Sequence, residues 1–242
     1  MEILSNRVYD VTLRTMDGIL LIDKPKGWTS FDVVAKVRGI LRSSGVAKPK
    51  VGHTGTLDPL ATGLLVLLLG SYTKRAPELT KLDKTYEVTM KLGETSTTGD
   101  DEGEKTKTSG SKPTEIEVIK ALQKFTGDLM QTPPIFSAMK INGQRAYKLA
   151  REGKEVKLEP RPVTIYRNEL TSYNYPLVKF TSEVSSGTYI RSLVEDFGKE
   201  LDTGAYMSDL RRTKVGKFDI RDSQTVQNLG AEQIYTNLQQ FN

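Results

Sequence analysis

The sequence predicts an α+β fold: a mixed, largely antiparallel sheet with flanking helices. Three observations carry this expectation. Two apolar stretches of strand length, GILLID at 18–23 and the run at 64–69, read as buried strands. Residues 85–92 alternate, with Tyr86, Val88, Met90 and Leu92 on one face and Glu87, Thr89 and Lys91 on the other. Strand and helix patterns then mix without the regular alternation a doubly wound sheet would show.

The elements follow in order. After the first strand, Lys24-Pro25-Lys26-Gly27 is a turn, because Pro presets φ and Gly frees it. Thr29 with Asp32 three residues on forms a capping box. Val33, Val34, Val37, Ile40 and Leu41 continue at helical spacing, and Ser43-Ser44-Gly45 ends the pattern. A Gly-, Thr- and Pro-rich stretch leads into the run at 64–69, expected as a central strand. Residues 94–114 are acidic and Thr/Gly/Ser-rich, the composition of a flexible surface loop. Thr114 and Glu117 cap a helix carrying Val118, Leu122 and Phe125 that closes near Gly127. Val178, Phe180 and Val184 suggest another strand. Beyond Ser185-Ser186-Gly187-Thr188, a helix aligns Ile190, Leu193, Val194, Phe197 and Leu201 on one stripe. Residues 225–242 read as a polar, weakly helical stub.

Composition narrows function. The 242 residues make one large domain or two small ones. There is no cysteine, which excludes disulfides, thiolate metal sites and a cysteine nucleophile. The single histidine, His53, excludes a multi-histidine metal cage. No apolar run approaches the ~20 residues of a membrane span, and the charged N-terminus is unlike a secretory signal, so a cytoplasmic protein is expected. The net charge is +5. Residues 139–168 alone hold eight Lys/Arg, among them Lys140, Arg145, Lys148 and Arg151, against three Glu. That stretch fits either a footprint for nucleic acid or a solvated helix and strand edge.

Chemistry concentrates at GHTGTLDPLATG, residues 52–63. Three glycines there permit tight turns and close approach to a ligand. Leu57 and Leu60 flank Asp58, so its carboxylate could act as nucleophile or base; Asp-Pro is also a common turn. Arg191 lies off the apolar stripe in the first turn of its helix, where the positive helix end disfavours a cation. Its compensating partner is either Glu195 at i+4 or Asp58, and spacing does not choose. Tyr86 is a core tyrosine or a stacking ring beside a cleft, and a lone His53 in a turn is more often structural.

GILLIDKPKGWTS (18–30), GHTGTLDPLATGLL (52–65), DKTYEV (83–88), PPIFSAMKINGQRAYKLAREG (133–153), SSGTYIRSLVEDFG (185–198) and DLRRTKVGKF (209–218) together resemble the bacterial TruB family of tRNA pseudouridine synthases, in that family's order. The resemblance implies the pseudouridine synthase fold with a catalytic cleft across the sheet. It implies isomerisation of the T-loop uridine, position 55 of tRNA, by three residues: Asp58 as catalytic aspartate, Tyr86 stacking on the base and assisting proton removal, and Arg191 pairing with the carboxylate. His53 matches the residue that displaces the target nucleotide. Tyr189, Ile190 and Leu210 match motifs lining the uracil pocket, while Lys24 and Pro25 match a structural motif. No cofactor, metal or guide RNA is implied, and a monomer is expected. Residues 132–153, with Lys140, Arg145, Lys148 and Arg151, match an insert that clamps the RNA stem-loop. The expected layout is a catalytic domain over 1–224 and a short tail over 225–242, without the further C-terminal RNA-binding domain of many members. The alternatives are a guide-RNA-dependent synthase subunit and a non-catalytic tRNA-folding or binding module.

Overall fold

A computed structural model describes residues 16–241 except 109, 138, 142–143, 147–148, 150–151 and 153–157. The strands are β1 (Gly18–Lys24), β2 (Val51–His53), β3 (Thr62–Leu69), β4 (Lys84–Leu92), β5 (Glu94–Ser96), β6 (Lys105–Lys107), β7 (Gly127–Gln131), β8 (Lys140–Ile141), β9 (Gln144–Arg145), β10 (Arg161–Asn174), β11 (Leu177–Val184), β12 (Ala205–Val215), β13 (Phe218–Asp219) and β14 (Gln224–Thr225). The helices are α1 (Ser30–Ser43), α2 (Ala76–Leu79), α3 (Glu115–Lys124), α4 (Ile190–Glu200) and α5 (Ala231–Thr236). The main sheet runs β14-β1-β3-β12-β4-β11-β10-β7. Only β14–β1 and β3–β12 are parallel along this path, so the mixed, largely antiparallel α+β expectation holds.

The apolar runs are strands covered on both faces. Leu20, Ile22, Leu65, Leu67 and Leu69 pack under the α1 residues Val33, Val34, Val37 and Leu41. Ile19, Leu21, Leu64, Val66 and Leu68 fill the opposite face with Leu79, Val215 and Phe218. Burial on both faces is why these strands do not alternate. The other half of the sheet has its own core. Val88, Met90, Ile165 and Phe180 meet Val118 and Leu122 of α3, and Leu193, Val194 and Phe197 of α4. Phe197 stands edge-on to both Phe125 and Phe180, with centroids 5.2 and 5.4 Å away. Both anticipated capping boxes form, at Thr29/Asp32 and Thr114/Glu117.

One joint holds the two halves side by side. β12 meets β3 through only two register pairs, Arg211 with Thr62 and Arg212 with Gly63. Beyond that point β2 takes over the same edge of β3, pairing with Leu67–Leu69. Residues 54–61 occupy the gap between β2 and β12.

Two sequence expectations are corrected. Residues 94–114 are not a free loop: β5 and β6 form a hairpin whose turn packs on β12, where Met207 N–H donates to Gly99 O at 3.0 Å. The expected polar stub at 225–242 buries Val226, Leu229 and Ile234 against the α1 core, and Gln239 exchanges backbone hydrogen bonds with Ile19. Its apolar side chains are spaced too irregularly to stand out as a stripe. Among the described residues, no helix is long and apolar enough to cross a membrane.

Candidate active site

The loop carrying Asp58 is held from below. Ser30, at the start of α1, accepts from Leu57 N–H at 2.8 Å and donates to Leu57 O at 3.1 Å. Gly27 N–H donates to Pro59 O at 2.8 Å, and Ala61 N–H closes a turn onto Asp58 O at 3.1 Å. The backbone on both sides of Asp58 is therefore tied to the start of α1. The carboxylate itself points outward and is 48% exposed.

Arg191 reaches it from the other half of the sheet. Its Nη2 donates to Asp58 Oδ2 at 3.1 Å and to Phe136 O at 2.9 Å. Its Nη1 donates to Thr98 O at 3.2 Å and lies 3.6 Å from Asp100 Oδ2. The guanidinium is buried at 9% exposure and Asp100 at 7%. Two carboxylates and two carbonyls thus offset a cation in the first turn of α4, where the helix field opposes it. Of the two partners that spacing left open, Asp58 is the hydrogen-bonded one. Glu195 carries a carboxyl raised by burial.

Around the carboxylate the walls are apolar. Leu57, Leu60, Tyr86, Ile190 and Leu210 all belong to one buried cluster. Tyr86 pairs with Ser182 on one side and Arg212 on the other, so its ring is set by a central strand. Tyr189 is the N-cap of α4, and both its N–H and C=O bond to Gln131, which docks the end of β7 on that turn. Ser192 donates to Thr132 O, holding the start of the 132–153 segment on the same helix.

Two buried amines lie near. Lys24 is wholly enclosed and donates to Trp28 O and Pro25 O; burial pushes it down to about 8, against the pull of Asp58. Lys84 donates to Thr80 O at 2.7 Å and is likewise pushed by burial to about 8. His53 is held below the usual imidazole range by burial first and by Arg212 second, while a backbone contact at Gly55 acts the other way. Among the described residues no three His, Cys, Asp or Glu side chains gather as a metal-ligand group.

The model of the TruB family pseudouridylate synthase N-terminal domain matches residues 42–190, and that of the tRNA pseudouridylate synthase B C-terminal domain matches 191–240. The chain belongs to the TruB family. Relatives named tRNA pseudouridine synthase B include those of Stutzerimonas stutzeri, 45% identical over 89% of this chain and 69% of its own length, and of Chloroherpeton thalassium, 44% identical over 88% and 89%. A solved Cbf5-Nop10-Gar1 complex is similar over 89% of this chain with a TM-score of 0.69 and 30% identity. An H/ACA RNP bound to a substrate RNA containing 2′-deoxyuridine is similar with a TM-score of 0.66 and 28% identity. The chain spans about half the length of those two solved chains, 54% and 53%.

Within this TruB-family chain the structure brings Asp58, Tyr86, Arg191, Ile190 and Leu210 to one place, with Tyr189 at the adjoining cap. His53 stands at the end of β2, just before the loop. Lys140 and Arg145 face each other as backbone partners across the β8–β9 hairpin. Lys148 and Arg151 lie outside the described residues. Sequence reasoning missed Asp100 and Arg212. Asp100 sits in an acidic, turn-rich stretch, and only the Thr-Gly pair before it hints at a built turn. Arg212 is the second of two adjacent arginines, and strand alternation would have placed it opposite Arg211.

Proposed function

We propose that this chain isomerises uridine to pseudouridine in the T loop of tRNA, at position 55, with Asp58 as the attacking carboxylate. The observation that supports it most directly is the Arg191 Nη2 to Asp58 Oδ2 contact of 3.1 Å between the two halves of the sheet. The reaction breaks the N1–C1′ bond, turns the uracil and forms a C5–C1′ bond. A proton leaves C5 and N1 gains one, so nothing is oxidised or lost. In attack at either C1′ or C6 the carboxylate adds once and leaves once.

Each group then has a part. Arg191 orients the carboxylate through its hydrogen bond to Oδ2. Asp100 and the Thr98 and Phe136 carbonyls hold the guanidinium in turn. Tyr86 offers its ring to the extruded base, and stacking worth about 1–3 kcal/mol helps offset the few kcal/mol of unstacking. Leu57, Leu60, Ile190 and Leu210 exclude water, which would otherwise capture a detached sugar. His53 and the Tyr189 cap border the entry. The basic segment with Lys140, Arg145, Lys148 and Arg151 grips the stem phosphates of the T arm. All these groups come from one chain, which suits a monomer acting without guide RNA. The intact carboxylate–guanidinium pair speaks against a module that only binds.

Tritium release from C5-labelled uridine tests this. Unmodified tRNA and an isolated T-arm stem-loop should both be turned over, and Asp58→Asn should abolish release while binding RNA normally. Release by that variant at the wild-type rate would remove Asp58 from its role.

A further inference from the structure

Between the last β2 pair, His53 with Leu67, and the first β12 pair, Arg212 with Gly63, one edge of β3 has no strand beside it. Thr54 N–H reaches Val66 O at 3.1 Å, which leaves Leu64 O facing the gap. Arg212 fills it. Its Nε donates to Leu64 O at 2.8 Å and its Nη2 to Gly55 O at 3.1 Å. One planar group thereby ties β3 to the loop that bears Asp58.

The charge state makes this unusual. Arg212 is 2% exposed. The neighbouring Arg211 takes a two-pronged pair with Asp23. Among the described residues, no carboxylate comes within ion-pair distance of Arg212, which meets only carbonyl oxygens. A buried cation without a counter-ion is costly, and a neutral side chain of equal length would fill the space more cheaply. Lysine could not bridge both carbonyls in one plane.

We propose that Arg212 is a positioning residue for the isomerisation, its guanidinium standing in for a missing strand and fixing the Asp58 loop against the sheet. This rests on the function proposed above, and it extends it to a residue that touches neither base nor carboxylate. Loop placement at Asp58 matters because displacing a reacting group by about 1 Å can cost about a hundredfold in rate.

Two variants and two readouts test it. Arg212→Met removes the charge and both hydrogen bonds, and Arg212→Lys keeps the charge but not the fork. Both should slow single-turnover isomerisation of saturating tRNA, Arg212→Met by about a hundredfold and Arg212→Lys by less, with RNA affinity within about twofold of wild type. The second readout needs no activity. His53 is the chain's single histidine, so one imidazole resonance reports its titration by NMR. Its midpoint should rise in Arg212→Met and stay near wild type in Arg212→Lys. If Arg212→Met does not fold, Arg212→Lys decides on rate alone. Folded variants with the wild-type single-turnover rate would overturn the proposal, as would an unmoved His53 midpoint in Arg212→Met. Wild-type protein that turns over no tRNA, with the His53 shift intact, would overturn the function and not this placement.

Discussion

A guanidinium shared between two carboxylates behaves differently from one that serves a single partner. Asp100 accepts from Thr98 Oγ1 and Glu102 N–H, so it is fixed before it meets Arg191. Its pull on Nη1 counters that of Asp58 on Nη2. Asp100→Asn keeps the shape and removes the charge; with a charge-assisted contact worth about 1.5–3 kcal/mol, turnover should fall about tenfold or more while RNA affinity stays unchanged. Steady-state kcat beside a binding isotherm checks this, and an equal loss in both would contradict it. The buried amines give a second expectation. Lys24 and Lys84 stand near 8 in the fold against 10.5 when unfolded. Between those values the unfolded chain holds more protons, so both lysines make stability rise with pH, and below about 8 their effect is flat. In denaturant titrations from pH 8 to 10, wild type should therefore gain stability relative to Lys24→Met. A constant difference would show that burial does not govern this amine. Of these residues only Asp58, Tyr86 and Arg191 were legible beforehand, because glycine density, strand alternation and an off-stripe cation leave local marks. Asp100 leaves only the Thr-Gly pair before it: its burial comes from a helix almost a hundred positions away.

α4 has to meet β12 closely to bring Arg191 to the loop. Gly198 makes that approach possible: a Cβ there would overlap the Ala205 nitrogen and come within 2.7 Å of Ala205 Cβ. Thr203 and Gly204 N–H both donate to Gly198 O, so the chain folds back onto the helix at this point. Alanine is the better helix former by about 1 kcal/mol. Here overpacking against backbone should outweigh that, and Gly198→Ala should lower stability by about 1–3 kcal/mol and shift α4 along with Arg191. Thermal unfolding and turnover should fall together, and a stabilised variant would show that helix propensity dominates. The helices and their caps were readable because apolar spacing and capping boxes are local. The β5–β6 hairpin was not, since its Thr, Gly and Asp residues resemble a loop until β12 and α4 cover them. β12 itself hides because its buried and charged positions break step at two register shifts.

The site exists only where the two halves of the molecule join. Asp58 belongs to the α1 half, while Tyr86, Arg191 and Leu210 belong to the other, and the halves share a sheet through the two pairs of β3 with β12. No local pattern could announce this parallel joint, since its partners are about 150 positions apart and differ in burial from ordinary mid-strand residues. Gly63 is the residue that permits it. Its φ is +102°, and an added Cβ would overlap the Arg212 carbonyl oxygen and sit 2.7 Å from the Arg212 nitrogen. Those atoms are backbone and cannot turn aside, so β12 would have to move. The strained φ alone costs about 1–3 kcal/mol for a residue with a side chain, and the overlap adds to it. Gly63→Ala should therefore lose at least about 2 kcal/mol of stability. Below its own melting temperature it should still lose most of its turnover, because Asp58 and Arg191 part as the joint opens. The loss should exceed that of a core variant such as Val178→Ala, which weakens the second half's core without touching the joint. If the two variants, matched in stability, were equally active, the joint would be scaffolding and the placement of Asp58 against Arg191 would depend on the loop alone.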